Sequence, residues 1–137
     1  IMAAYEMLVN INTQYLEEQS DPDRSHFVFA YSVTIKNTGS VAAQIISRHW
    51  IITDANENVQ EVKGLGVVGH QPFLQPGEQF EYTSGTSMAT PQGTMHGEYF
   101  CVAEDGEQFN ANIPEDRISW SETFGKSNAQ AFDRFGW

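Results

Sequence analysis

The sequence predicts an antiparallel β-sandwich of about seven strands, and three observations predict it. Residues Phe27 to Lys36 alternate: Phe27, Phe29, Tyr31, Val33 and Ile35 on one side, Val28, Ala30, Ser32, Thr34 and Lys36 on the other. Such a period of two is a strand with one buried face. Turn signals recur about every 8–12 residues, as in sandwiches. Nothing before Pro114 keeps a helical apolar period, and 4 leucines against 18 isoleucines and valines favour strands.

An opening strand covers Met7 to Tyr15, with Val9, Ile11 and Thr13 on one face. Glu17 to Ser25 is polar, contains Asp21-Pro22 and reads as a loop. After the Phe27–Lys36 strand, Asn37-Thr38-Gly39-Ser40 carries turn chemistry. Gln44 to Thr53 is the third strand. Ile46, Arg48, Trp50 and Ile52 alternate there with Ile45, Ser47, His49 and Ile51, so both faces carry bulk, as in a central strand. Trp50 stands where immunoglobulin-type sandwiches keep a core tryptophan, and Arg48 is expected to stack or to pair with an acidic neighbour.

Asp54 to Asn58 is a five-residue hairpin loop, and Val59 to Val62 returns beside the third strand. Lys63 to Pro72 reads as a glycine-rich loop. Pro76-Gly77 turns into a strand carrying Phe80, Tyr82 and Ser84, and Gly85 to Gly93 reads as loop. Met95 to Ala103 is a strand, Glu104 to Glu107 a turn on Asp105-Gly106, and Phe109, Ala111 and Ile113 its partner, stopped by Pro114. The expected core is Phe29, Tyr31, Val33, Ile35, Trp50, Phe80, Tyr82, Tyr99 and Phe109. The whole pattern fits a sandwich of immunoglobulin or fibronectin type III kind.

A chain of 137 residues is one domain's worth. Its 7 Lys and Arg against 18 Asp and Glu leave a net charge of −11, without the basic footprint that nucleic acid requires, and an anionic membrane would repel it. The single cysteine, Cys101, excludes an internal disulfide framework and a multi-cysteine zinc site. No apolar run approaches a membrane span, and the opening residues have no signal-peptide character, so a cytoplasmic location is expected.

Several segments in fixed order carry a resemblance. They are Ser47-Arg48-His49-Trp50-Ile51-Ile52-Thr53-Asp54, Val62-Lys63-Gly64-Leu65-Gly66-Val67-Val68-Gly69-His70-Gln71-Pro72, Leu74-Gln75-Pro76-Gly77-Glu78, Tyr82-Thr83-Ser84-Gly85 and Gly93-Thr94-Met95-His96-Gly97. Together they resemble the bacterial ApaG proteins from about Val9 to Ile118. The resemblance implies a fibronectin type III-like sandwich, over residues 5–118, with 119–137 a tail outside it. It also implies an association with cobalt resistance and magnesium efflux, and a nucleotide role proposed from the glycine motif. Related eukaryotic domains look like protein-interaction modules.

Gly64-x-Gly66-x-x-Gly69 has dinucleotide-binding spacing, but no helical pattern follows it, so no βαβ unit can hold it. A backbone nest for phosphate needs no helix, and Lys63, Arg48 and His70 are placed to assist one. The bland alternative is a long loop whose glycines take positive φ and press against the sheet. His26, His49, His70 and His96 lie on separate segments, without metal-ligand spacing, although His49 and His96 could meet across strands. Asp54, Asn56 and Glu57 offer oxygen ligands but lack the spacing of a calcium loop. Trp120, Phe124, Phe132, Phe135 and Trp137 make the tail dense in aromatics, and 128–135 is compatible with two helical turns.

No assembled catalytic set is visible, so a non-enzymatic protein-interaction module is the leading expectation, with no cofactor, an unidentified protein partner and scope for a homodimer. Its recognition surface is placed on Lys63, Gly64, Gly66, Gly69, His70 and Gln71, with Arg48 nearby, and with Leu65, Val67 and Val68 packed inward or meeting the partner. The alternatives are weak phosphate or nucleotide binding through 64–69, and a divalent-metal-linked role.

Overall fold

The computed structural model describes residues 3–121. Its strands are β1 (Met7–Tyr15), β2 (Phe27–Asn37), β3 (Ala43–Asp54), β4 (Val59–Leu65), β5 (Phe73–Leu74), β6 (Gln79–Met88), β7 (Gln92–Ala103) and β8 (Gln108–Ser119). One sheet runs β1-β2-β6. The other runs β4-β3-β7-β8, with β5 also paired to β3. Every pairing is antiparallel. Among the described residues no helix is long and apolar enough to cross a membrane. The expected Glu17–Ser25 loop contains two 3-10 turns, Glu17–Gln19 and Pro22–Arg24.

The sandwich core is the alternating face of each strand. Phe29, Tyr31, Val33, Ile35, Trp50, Tyr82 and Tyr99 are buried as expected. Phe80 and Phe109 are only partly buried: they sit at the sandwich margins, against His70 and Tyr5 respectively. Trp50 packs between Tyr31 (5.3 Å) and Tyr99 (6.2 Å), so its indole joins the two sheets.

Strict alternation fails on β3. A bulge between Ile45 and Ser47 shifts the register against β7, and Ile45, not Ile46, joins Trp50 and Ile52 in the core. At Gly97 the partner strand comes so close that an added Cβ would collide with the His49 carbonyl. A glycine is needed there for close approach, not for turning.

Three segments read as loop or stop are strand. The hydroxyl-rich run after Tyr82 stays in β6 to Met88 because it pairs with β2 as far as Phe27. Ser32 and Thr83 share a hydroxyl hydrogen bond of 2.8 Å there. Pro114 does not end β8: it falls where the β7–β8 register slips between Met95 and Gly97, on an edge strand, so its missing N–H breaks no ladder bond. Lys63, Gly64 and Leu65 extend β4 and pair with His49, Arg48 and Ser47.

Of the five tail aromatics only Trp120 is among the described residues, packed edge-on against Phe27 (5.6 Å) and Tyr15 (6.2 Å). Phe124, Phe132, Phe135, Trp137 and the two turns expected at 128–135 lie outside the described residues.

Candidate functional site

β4 and β6 edge their sheets on the same flank, where the Gln60 side-chain amide donates to the Ser87 carbonyl (2.9 Å). The segment from Gly66 to Pro72 closes this flank. Gly66 N–H donates to Ile46 C=O (2.7 Å), Gln71 Nε2 to the same carbonyl (3.0 Å), and Ile45 N–H to Pro72 C=O (3.0 Å). Val67 is fully buried in the core. The His70 ring, on an exposed residue, lies 5.8 Å from Phe80 on β6.

Val67 and His70 exchange both backbone hydrogen bonds, of 2.7 and 3.0 Å. Between them Val68 has φ +50 and Gly69 φ +80, the two positive values of a type I′ turn. Gly69 suits its place, and no atom of the described residues lies near its missing side chain. Val68 does not: a β-branched residue at positive φ is strained by about 1–3 kcal/mol. It is 53% exposed, with Leu65 at 75% before it and Phe73 at 47% after it. Gly66 has φ +69, and a Cβ there would lie 2.5 Å from the His70 carbonyl oxygen.

Arg48 explains Gly64. Its guanidinium lies across the strand where a Gly64 side chain would stand, 2.8 Å from that ideal Cβ. Nη1 then donates to the carbonyls of Leu65 (3.1 Å) and Gly66 (3.0 Å). Arg48, expected to stack or to pair with an acidic neighbour, instead binds these two backbone carbonyls. Lys63 is exposed beside His49, and His49 Nε2 meets Glu61 at 3.0 Å.

Behind the flank lies a hydroxyl cluster that no motif marks. Tyr82 and Tyr99 share a hydrogen bond across the sheets, and Tyr31 bonds Ser84. Burial pushes all three phenols above their ordinary range, with Arg48 partly opposing. Trp50 Nε1, buried beside them, has no partner of good geometry among the described residues, although the indole still favours ionisation of Tyr82. The inward parity of Tyr31, Tyr82 and Tyr99 was readable from alternation; their convergence was not.

Other chemistry-bearing residues stay apart. His49 and His96 share the outer face but oppose Glu98 and Ile51, not each other. Among the described residues no group of three or more His, Cys, Asp or Glu is placed to hold a metal ion. Asp54 Oδ1 accepts from the backbone of Asn56 and Asn58, both at 2.9 Å, so its oxygens serve the turn. Burial pushes the Cys101 thiol up to about 12, which keeps it unreactive near neutrality.

A two-sheet antiparallel sandwich whose open flank is plugged by a glycine-hinged loop defines the class: a fibronectin type III-like β-sandwich domain. Comparison with known proteins narrows the class. The ApaG domain signature matches residues 17–103, and the chain belongs to that family. It is 62% identical over 114 residues to Protein ApaG of Ralstonia nicotianae, covering 83% of this chain and 92% of the relative. It is 64% identical over 110 residues to Protein ApaG of Thiobacillus denitrificans, covering 80% and 87%. The crystal structure of a Bordetella pertussis protein designated ApaA superposes with a TM-score of 0.87 at 54% identity, covering 90% of this chain and all of that one.

Proposed function

We propose that this ApaG-family chain is a non-catalytic protein-binding module whose recognition surface is the Leu65–Phe73 segment. One observation carries the reading: Val68 is a strained, more than half-exposed aliphatic residue at the tip of a turn anchored by fully buried Val67. Strain of this kind persists where the surroundings over-determine it, and it clusters at sites that meet ligands. Leu65 and Phe73 extend the apolar surface, while the rigid base removes much of the ordering cost of binding.

A phosphate nest draws less support here. The N–H groups of Gly66, Val67 and His70 already donate to carbonyls, and Arg48 is held by two more. A link to cobalt resistance or magnesium efflux would accordingly run through a bound partner. The test is affinity capture with the wild-type chain and with V68D, whose side chain points to solvent. A discrete protein retained by wild type and lost with V68D, at a thermal stability no lower than wild type, supports the reading. Equal capture by both forms overturns it.

A further inference from the structure

β4 differs from the other strand edges. β8 carries a proline and a register slip, β1 is as regular as β4 but lies against β8 where the two sheets meet, and β6 is crossed by Gln60 and flanked by His70. β4 is straight, seven residues long, and bears neither bulge nor proline. Gly66 N–H bonds Ile46 C=O two positions beyond the Arg48–Gly64 pair, past Ser47–Leu65. Hydrogen-bonded pairs alternate along an antiparallel ladder, so Gln60, Val62 and Gly64 bond β3. Val59, Glu61, Lys63 and Leu65 therefore turn their backbone groups to an edge that no other described strand covers. The Leu65 carbonyl agrees with this phase, since it is reached by the Arg48 side chain and not by β3.

The same four residues face outward, on the side opposite Trp50. Val59 and Leu65 are 59% and 75% exposed, and on β3 they oppose the small polar residues Thr53 and Ser47. Read against itself in reverse about Val62, the edge is complementary: Val59 opposes Leu65, Gln60 opposes Gly64, and Glu61 opposes Lys63. Apolar meets apolar, and acid meets base twice over, once on each side of the axis. Charges on an edge ordinarily repel another strand. These two attract a second copy of the same strand and no shifted register of it.

We infer that β4 is a homophilic edge: two copies of this chain join antiparallel about a twofold axis through Val62, merging their larger sheets into one. The contact is isologous, so it closes at two copies and does not propagate. Residues Glu61 and Lys63 exchange backbone hydrogen bonds with Lys63 and Glu61 of the other copy, and the Leu65 carbonyl keeps a second lone pair for the ladder. One added strand pair is a small interface, and the net charge of −11 on each copy opposes it, so the dimer is weak and strengthened by moderate salt.

Sedimentation velocity over rising concentration in moderate salt tests this, with wild type, E61K, K63E and the double variant E61K/K63E. Both side chains are exposed, and circular dichroism checks that each variant stays folded. The expected result is a monomer–dimer equilibrium in wild type, weakened about tenfold or more by either single reversal, and restored by the double. Amide exchange adds a backbone signature: Glu61 and Lys63 gain protection with concentration, while Val62 and Gly64 do not change. A wild type that stays monomeric throughout overturns the inference, as does a dimer indifferent to the single reversals or not restored by the double.

Discussion

β4 begins and ends on turns of opposite construction. The turn before it, from Asp54 to Asn58, is made chiefly by its own residues: Asp54 accepts from Asn56 and Asn58, and an outside bond, Ala55 N–H to Thr90 Oγ1 (3.0 Å), joins it to the body. The segment after it, from Gly66 to Pro72, is made by others. Arg48, Ile45 and Ile46 hold it from β3, Phe80 flanks it from β6, and Val67 is anchored in the core. A turn held mostly by its own residues transmits little when it is altered. A segment held from three sides transmits much, and it presents a fixed surface in return.

The sharpest way to break the contrast is G66V. It places a β-branched residue at φ +69 against the His70 carbonyl, and should cost about 3 kcal/mol or more. Thermal melting should fall by roughly 10 °C, read by calorimetry. A loss of only a degree or two would mean that the segment re-forms without its hinge. Next comes V67A, which empties a core position and should cost about 2 kcal/mol in a denaturant titration.

V68N sharpens the contrast from the other direction. It supplies the Asn-Gly pair that a type I′ turn prefers, and should raise stability by about 1 kcal/mol while weakening partner capture. Gains in both would show that the strain at Val68 has no bearing on recognition. The smallest effect belongs to the local turn. The Asn58 backbone N–H chiefly, helped by the Asn58 side chain and Asn56 N–H against some desolvation, holds the Asp54 carboxyl below its ordinary range. A carboxyl depressed on folding stabilises above its unfolded pKa and loses that contribution as pH falls through its folded one. The melting-temperature gap between wild type and D54N should therefore be constant near neutrality and close in acid.

Sequence and structure agree best where the determinants are local. Alternation placed β1 and β2 almost to the residue, and Asp54 to Asn58 was readable because its residues bond one another. The misreadings share one cause: a partner distant in sequence overrides local preference. Gly85 to Ser87 looks like a loop until β2 pairs with it, and Pro114 looks like a stop until the register slip accommodates it. At the site, the glycine spacing pointed to the right flank, yet its cause was hidden. Gly64 makes room for Arg48, sixteen positions earlier, which no pattern within 63–72 could reveal.

The order of strands has a kinetic consequence. Neither sheet is contiguous in the chain: β6 must return to β2 across everything between Asn37 and Gln79, and β7 must return to β3 past β4, β5 and β6. Only β1–β2, β3–β4 and β7–β8 close over short spans. Those three hairpins are the units able to form early, and each alone is at best marginal in water. The tyrosine bridge between β6 and β7 forms only after both long returns are complete. Folding should therefore be slow for the chain's size, on the order of milliseconds to seconds, and all-or-none, because no half of the molecule is a folding unit by itself.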